Sequence, residues 1–173
     1  MYTIISATHR PDSNTLRIAK IYLQILQDQG LEAQILSLVD LPHDFIFTDS
    51  FGLRTERFQQ IIDRYLLSAQ KIIVVAPEYN GGIPGIFNAF LDAVNPESLA
   101  GKKVALVGVA TGRGGNSRGL DHLVNCLHYL GVEVYHKLVP ISQVLTLLDP
   151  QGELKSDYIR HSLSNQAEGF ARY

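Results

Sequence analysis

Three short runs of consecutive apolar residues punctuate the chain: Tyr2 to Ala7, Lys71 to Ala76 (KIIVVA) and Lys103 to Val109 (KVALVGV). Rich in Ile and Val with little polar alternation, they predict parallel strands buried on both faces. Glu32 to Leu38 and Val132 to Leu138 alternate more clearly, which predicts two strands in less protected positions. Between the runs the apolar period lengthens to that of helices. Thr15 to Gln29 gathers Leu16, Ile18, Ala19, Tyr22, Leu23, Ile25 and Leu26 on one broad face, with Ser13 and Asn14 as capping candidates and Gly30 as a stop. Further helices are predicted over Thr55 to Ser68, Pro84 to Val94, Asn116 to Leu130 and Leu154 to Arg172. Strand and helix alternate five times, so the expected fold class is α/β, a doubly wound five-stranded parallel sheet with helices on both faces.

In such a sheet ligands bind beyond the carboxyl ends of the strands, where the winding reverses. Three loops leave the strong strands there: Ala7 to Asn14, Pro77 to Gly85 and Ala110 to Gly115. The first, A-T-H-R-P-D-S-N-T, offers the hydroxyls of Thr8, Ser13 and Thr15, the amide of Asn14, the guanidinium of Arg10 and the free N–H groups of a helix start, a set suited to an anion. It lacks the glycines of a dinucleotide turn and the Gly-Lys-Ser/Thr of a P-loop, which points to a monophosphate; its polar residues could equally do no more than cap the helix. The second, P-E-Y-N-G-G-I-P-G, constrains an irregular backbone, supplies the Tyr79 ring, and at Gly81 and Gly82 lets a flat ligand approach main-chain donors. The third, A-T-G-R-G-G-N-S-R-G, adds glycines with free N–H groups and the cations Arg113 and Arg118, which suit either a carbonyl oxygen gaining negative charge on reduction or the phosphate of a passing nucleotide.

Taken with these loops, the chain resembles the NAD(P)H-dependent FMN reductases, a flavodoxin-like family that includes quinone, chromate and azo-dye reductases. Pro77 to Gly85, followed by Ile86, Phe87 and Asn88, is similar to that family's P-E-Y-N-x-x-x-P-G-x-x-K-N signature. The resemblance implies that Thr8, Arg10, Ser13, Asn14 and Thr15 serve the FMN phosphate. It implies that Pro77, Glu78, Tyr79, Asn80, Gly81 and Gly82 contact the ribityl chain and ring, mostly through backbone. Thr111, Gly112, Arg113, Gly114 and Gly115 then stand at the pyrimidine end. Ala7 replaces the family's glycine, Thr15 its asparagine and Phe87 its lysine. The implied activity passes hydride or electrons from NADPH or NADH through FMN to a small acceptor such as a flavin or quinone. A homodimer or homotetramer is also implied.

Composition narrows the alternatives. The 173 residues are one domain's worth of chain, expected to span 1–173 as a single FMN-binding unit, and 46% are hydrophobic, enough for a core without staples. With 15 basic and 17 acidic side chains the charge suits neither a nucleic-acid binder nor a strongly acidic electron carrier that docks by charge. The N-terminus carries no signal pattern and no apolar run reaches the roughly 18 residues of a membrane span, so the expected compartment is the cytoplasm. Cys126 reads as a buried structural thiol within an apolar helix. His122 and His128 fall on different helix faces, so no metal site is expected, and His9 reads as solvent-facing. Gly115-Asn116-Ser117-Arg118-Gly119 spells a hydrolase elbow, but its serine lies inside a predicted helix rather than at a strand end. His43 to Phe47 is an aromatic stretch expected outside regular structure, either anchored in the core or covering a neighbour. The competing function is a non-catalytic flavodoxin-like electron carrier or flavin-binding module. For an enzyme of this length, donor and acceptor would share one flavin face in turn, giving ping-pong kinetics.

Overall fold

A computed structural model describes all residues, 1–173. The first strand, β1 (Tyr2–Ser6), leads through α1 (Asn14–Asp28) to β2 (Ala33–Ser37). A 3-10 turn over Leu38–Asp40 and the short α2 (Phe45–Thr48) precede α3 (Glu56–Ile62) and β3 (Lys71–Pro77). Then come α4 (Gly85–Ala93), β4 (Lys103–Val109), α5 (Ser117–Tyr129), β5 (Glu133–Val134), β6 (Val139–Ile141), α6 (Val144–Leu147) and α7 (Asp157–Arg172).

The main sheet runs in the order β2-β1-β3-β4-β5, with β6 also paired to β4, and every pairing is parallel. That order is the flavodoxin-like form of the doubly wound sheet, and its switch point lies between β1 and β3. Side-chain alternation feeds two apolar layers. Ile5, Ile72, Val74, Val104 and Leu106 face a layer built with α3, α4 and α5, whereas Ile4, Ile73, Val75, Ala105 and Val107 face one built with α1 and α7. With 25 and 23 buried residues the layers are nearly equal, so both faces of the sheet are closed.

The fifth position in the sheet departs from the expected continuous strand over Val132 to Leu138. It is occupied by β5 and β6 in succession; Tyr135 still donates its N–H to the Val104 carbonyl at 2.8 Å, and His136–Leu138 leaves the ladder. Gln166 of α7 fills the gap: its Nε2 donates to the Leu106 carbonyl at 2.9 Å and the Lys137 carbonyl at 2.6 Å. The break allows β6 to pair with the end of β4, where the third loop begins.

The helices follow their expected spans with three differences. The segment expected as one helix over Thr55 to Ser68 is α-helical to Ile62 and widens to a π-turn over Asp63–Leu67. The terminal helix starts at Asp157 under a Ser156 cap, because Leu154 is held in an antiparallel bridge to Leu148. His43 to Phe47, expected outside regular structure, instead enters the short α2 from Phe45 onward; Phe45 is buried against Phe58 at 5.7 Å while Phe47 is 86% exposed, so the stretch both anchors itself and presents an aromatic ring to solvent.

Candidate functional site

The three loops converge at the carboxyl ends of β1, β3 and β4. After β1 the chain reverses sharply: the Thr8 N–H donates to the Ser6 carbonyl at 2.8 Å, and Ala7 N–H stays on Val75 of β3 at 2.9 Å. Thr8 is fully buried. Its Oγ1 accepts the Arg10 N–H at 3.2 Å and shares a 2.8 Å hydrogen bond with the Tyr79 hydroxyl, which ties the first loop to the second. Ser13 caps α1, its Oγ accepting the Leu16 N–H at 3.1 Å. The N–H groups of Asn14 and Thr15 have no acceptor within the chain, as expected in a first helical turn, and remain for a ligand.

The second loop is a tight hairpin. Tyr79 and Gly82 exchange N–H to carbonyl hydrogen bonds of 3.0 and 2.9 Å around Asn80 and Gly81, whose φ values of 53° and 71° make a type I′ turn. Asn-Gly is the dipeptide that this turn favours, since both central residues must take positive φ. Ile83 then buries itself and Pro84 caps α4. Phe87, standing where the family resemblance has lysine, points into the core and packs against Phe90 at 6.3 Å. No cation can stand there without being buried in the apolar layer.

In the third loop the carbonyls are turned away from the crevice. Gly112 O accepts Gln143 N–H at 2.8 Å, Arg113 O accepts the Ser142 hydroxyl at 2.7 Å, and Gly114 O accepts Ser117 N–H at 3.0 Å. The N–H groups of Thr111 to Gly115 are left without acceptors. Gly115 is there for packing: at φ 58° a Cβ would lie 2.7 Å from the Pro140 Cβ. Asn116 is buried at φ 65° and holds the loop to β3, its Nδ2 donating to the Ala76 carbonyl at 3.0 Å.

Between the loops lies a cavity of about 390 Å³. Of the expected site residues, Arg10, Ser13, Asn14, Thr15, Pro77, Glu78, Tyr79 and Thr111 line it. Thr8 braces its wall from behind. Asn80, Gly81 and Gly82 form the adjoining turn, and Gly112, Arg113, Gly114 and Gly115 the adjoining loop, outside the lining itself. The two approach one another: a Cβ on Gly114 would be 3.5 Å from Glu78 Oε2, and one on Gly81 would be 3.7 Å from an Arg118 Nη1. Asp12, Val109, Ala110 and Val144 also line the cavity and were not singled out in the sequence. Val109 and Ala110 could have been inferred from the strand end, whereas Val144 lies in no motif and reaches the site only through β6.

The volume suits a small cofactor, for which pockets of roughly 300–1,000 Å³ are usual. Its lining is donor-rich at one end, with Arg10 and the free helix N–H groups, and at the other it reaches Thr111, beyond which the adjoining loop carries further unpaired N–H groups. A phosphate fits the first and a ring carbonyl the second, so the residues present fit FMN. Three residues are placed differently or given a plain role. Cys126 is only partly buried, beside His122 and Tyr129 on the outer side of α5. His9 is exposed and outside the cavity lining. Ser117 is exposed in the first turn of α5 with its hydroxyl donated to Gly114 O at 2.7 Å, the bond of a turn rather than of an activated nucleophile.

The profile of the family described as NADPH-dependent FMN reductase matches residues 2–145. An NAD(P)H-dependent FMN reductase of Pseudomonas aeruginosa is 29% identical over 143 residues, 80% of this chain and 75% of that protein. Among solved structures, the flavoenzyme NAD(P)H:(acceptor) oxidoreductase FerB of Paracoccus denitrificans superposes with a TM-score of 0.78 at 21% identity, covering 99% of this chain and 95% of that one. An oxidoreductase of Corynebacterium diphtheriae superposes with a TM-score of 0.77 at 20% identity, over 99% and 94% of the two chains.

Proposed function

The chain belongs to the NADPH-dependent FMN reductase family, and from that premise we propose that the crevice between its three loops holds FMN and serves hydride transfer from NADPH or NADH to a small acceptor. The observation that carries this reading is the convergence of Asn14 and Thr15, with their unpaired N–H groups at the start of α1, with Pro77, Glu78, Tyr79 and Thr111 on one cavity at the switch point of the sheet, the unpaired N–H groups of Gly112 to Gly115 adjoining it. When bound, FMN supplies the redox chemistry, and the protein supplies orientation and electrostatics. Arg10, the Asn14 and Thr15 N–H groups and the Ser13 and Thr15 hydroxyls take the phosphate. Pro77, Glu78 and Tyr79, followed by the Asn80-Gly81 turn and Gly82, line the ribityl chain and the ring edge. Thr8 holds Tyr79 in place through the hydroxyl pair, which makes it a positioning residue. The N–H groups of Thr111 to Gly115, with Arg113, meet negative charge gained at the pyrimidine end.

Residues 1–173 read as one flavin-binding unit, supported by two core layers that share a single sheet. Donor and acceptor use the same exposed flavin face in turn. Anaerobic titration of the FMN-loaded protein with NADPH, and separately with NADH, tests the reading. Loss of the yellow colour, its return on adding a quinone or free flavin, and parallel double-reciprocal lines are the expected results. Failure to bind FMN at micromolar concentration would overturn it. Turnover with no protein partner added separates an enzyme from an electron carrier.

The protein is further read as a cytoplasmic homo-oligomer. No helix is long and apolar enough to cross a membrane. Phe47 and Phe51, 86% and 96% exposed, give the α2 region an apolar surface suited to a second copy. Light scattering coupled to gel filtration, with a Phe47→Ser/Phe51→Ser variant, measures this directly.

A further inference from the structure

A second concavity, of about 550 Å³, runs along the outer side of α1 and is bounded by the turn over 149–154 and by α7. Asp12 and Ser13 belong to both concavities, so the two spaces meet at the first turn of α1, where the FMN phosphate is placed above. Beyond that junction the groove carries three cations, Arg17, Lys20 and Arg160, against the carboxylates of Asp12 and Glu153. The local balance is positive in a chain whose formal net charge is −2. The cations are not matched to those acids. Arg17 donates to Asn14 Oδ1 at 3.4 Å and Arg160 to the Leu154 carbonyl at 3.2 Å, and both remain available to an anion.

The far wall is built rather than loose. Gly152 N–H donates to Asp149 O at 3.0 Å, and Glu153 N–H to Asp149 Oδ1 at 2.8 Å. Gly152 sits at φ +89°, where an added Cβ would press to 3.3 Å from Arg17 Cδ. The absence of a side chain there keeps the rim close to the guanidinium. Leu16 and Ile21 provide the apolar floor.

FAD is FMN whose phosphate is extended by adenosine monophosphate. An extension from a phosphate at Ser13 leads into this groove, its second phosphate toward Arg17 and Arg160 and its adenosine over Leu16 and Ile21. We propose that the groove is a subsite for the AMP half of FAD, so that the protein takes FAD as well as FMN. The proposal rests on the FMN reading of the neighbouring cavity.

The test titrates flavin-stripped protein separately with FMN and FAD, following quenching of flavin fluorescence. Lys20→Ala/Arg160→Ala, two exposed positions, should weaken FAD about tenfold, or about 1.4 kcal/mol, and FMN less than about twofold. Glu153→Gln, which removes an opposing charge, should tighten FAD and leave FMN unchanged. If FMN binds but FAD does not, or if both flavins respond alike to the substitutions, the groove has no such role while the FMN site stands. Failure to bind FMN overturns both readings. NADP⁺ binding to the FMN-loaded protein is the control arm: a tenfold loss there with FAD unaffected assigns the groove to the nicotinamide donor and sinks the proposal.

Discussion

The two edges of the same sheet are built to opposite rules. At the amino edge the lysine ammonium groups all have carbonyl acceptors. Lys71 Nζ, from the start of β3, donates to the Phe170 and Ala171 carbonyls at 2.8 Å each and lies 5.4 Å from the Phe170 ring. Lys103, from the start of β4, lies 4.9 Å from the Tyr173 ring and donates to that residue's carbonyl. These lysines cap the C-terminus of α7, where the unpaired carbonyls and the helix dipole favour cations. At the carboxyl edge, four of the five non-glycine residues with positive φ gather: Asp12, Asn80, Asn116 and Gln143. Positive φ is costly for a side-chain-bearing residue, and here it accompanies N–H groups left without partners. One edge closes its polar groups to hold the fold together. The other leaves N–H groups open to a ligand.

Substitutions at the two edges should therefore separate stability from flavin affinity. The largest effect is expected from Phe170→Ala at the amino edge, which empties a fully buried position and should cost about 3–5 kcal/mol in denaturant unfolding of the flavin-free protein. FMN affinity of the folded fraction should stay within about twofold, and a tenfold change would break the contrast. Gly108→Val comes next, since a side chain on Gly108 of β4 collides with the Gly115 carbonyl and Asn116 Cβ. It should destabilise by about 1–3 kcal/mol and also displace the third loop, raising the FMN dissociation constant at least about tenfold. Thr8→Val removes the hydroxyl shared by Arg10 and Tyr79. It should cost about 1–2 kcal/mol and loosen FMN while leaving the amino edge intact, which amide exchange of β1 and α7 would report.

The smallest effect concerns Lys71. Burial, with the nearby Lys103 charge, holds its ammonium below the ordinary value of 10.5. Between the lowered value and 10.5 the unfolded chain binds more protons than the folded one, so this group makes stability rise with pH through that window. Lys71→Met should flatten that alkaline rise in unfolding measurements without altering flavin binding. An unchanged slope would show that the amino edge carries no such burial penalty.

Much of this was legible in the sequence where the determinant is local. The runs at β1, β3 and β4 are central strands covered on both faces, so they appear as continuous apolar segments. Asn80-Gly81 declares its turn because the required φ values admit few other dipeptides. The split of the fifth strand was not legible, because the Gln166 amide that fills the gap comes from α7, far along the chain. Cys126 was expected buried from the apolar pattern of its helix, yet it lies at the margin of the buried face of α5. The Thr8–Tyr79 bond was hidden for a similar reason, since 71 residues separate two polar side chains that each look like a solvent-facing donor.

The sequence by itself determined the alternation of strand and helix and the sheet edge where chemistry belongs, which follow from periodicity and turn residues acting over a few positions; its Pro77 to Asn88 segment also resembles the FMN reductase signature. Only the tertiary structure decided which loop residues line the cavity and which brace it, that Val144 joins them through β6, and that the groove along α1 meets the cavity at the first turn of that helix. Those properties depend on which hydrogen-bonding groups are left unpaired after distant segments have packed.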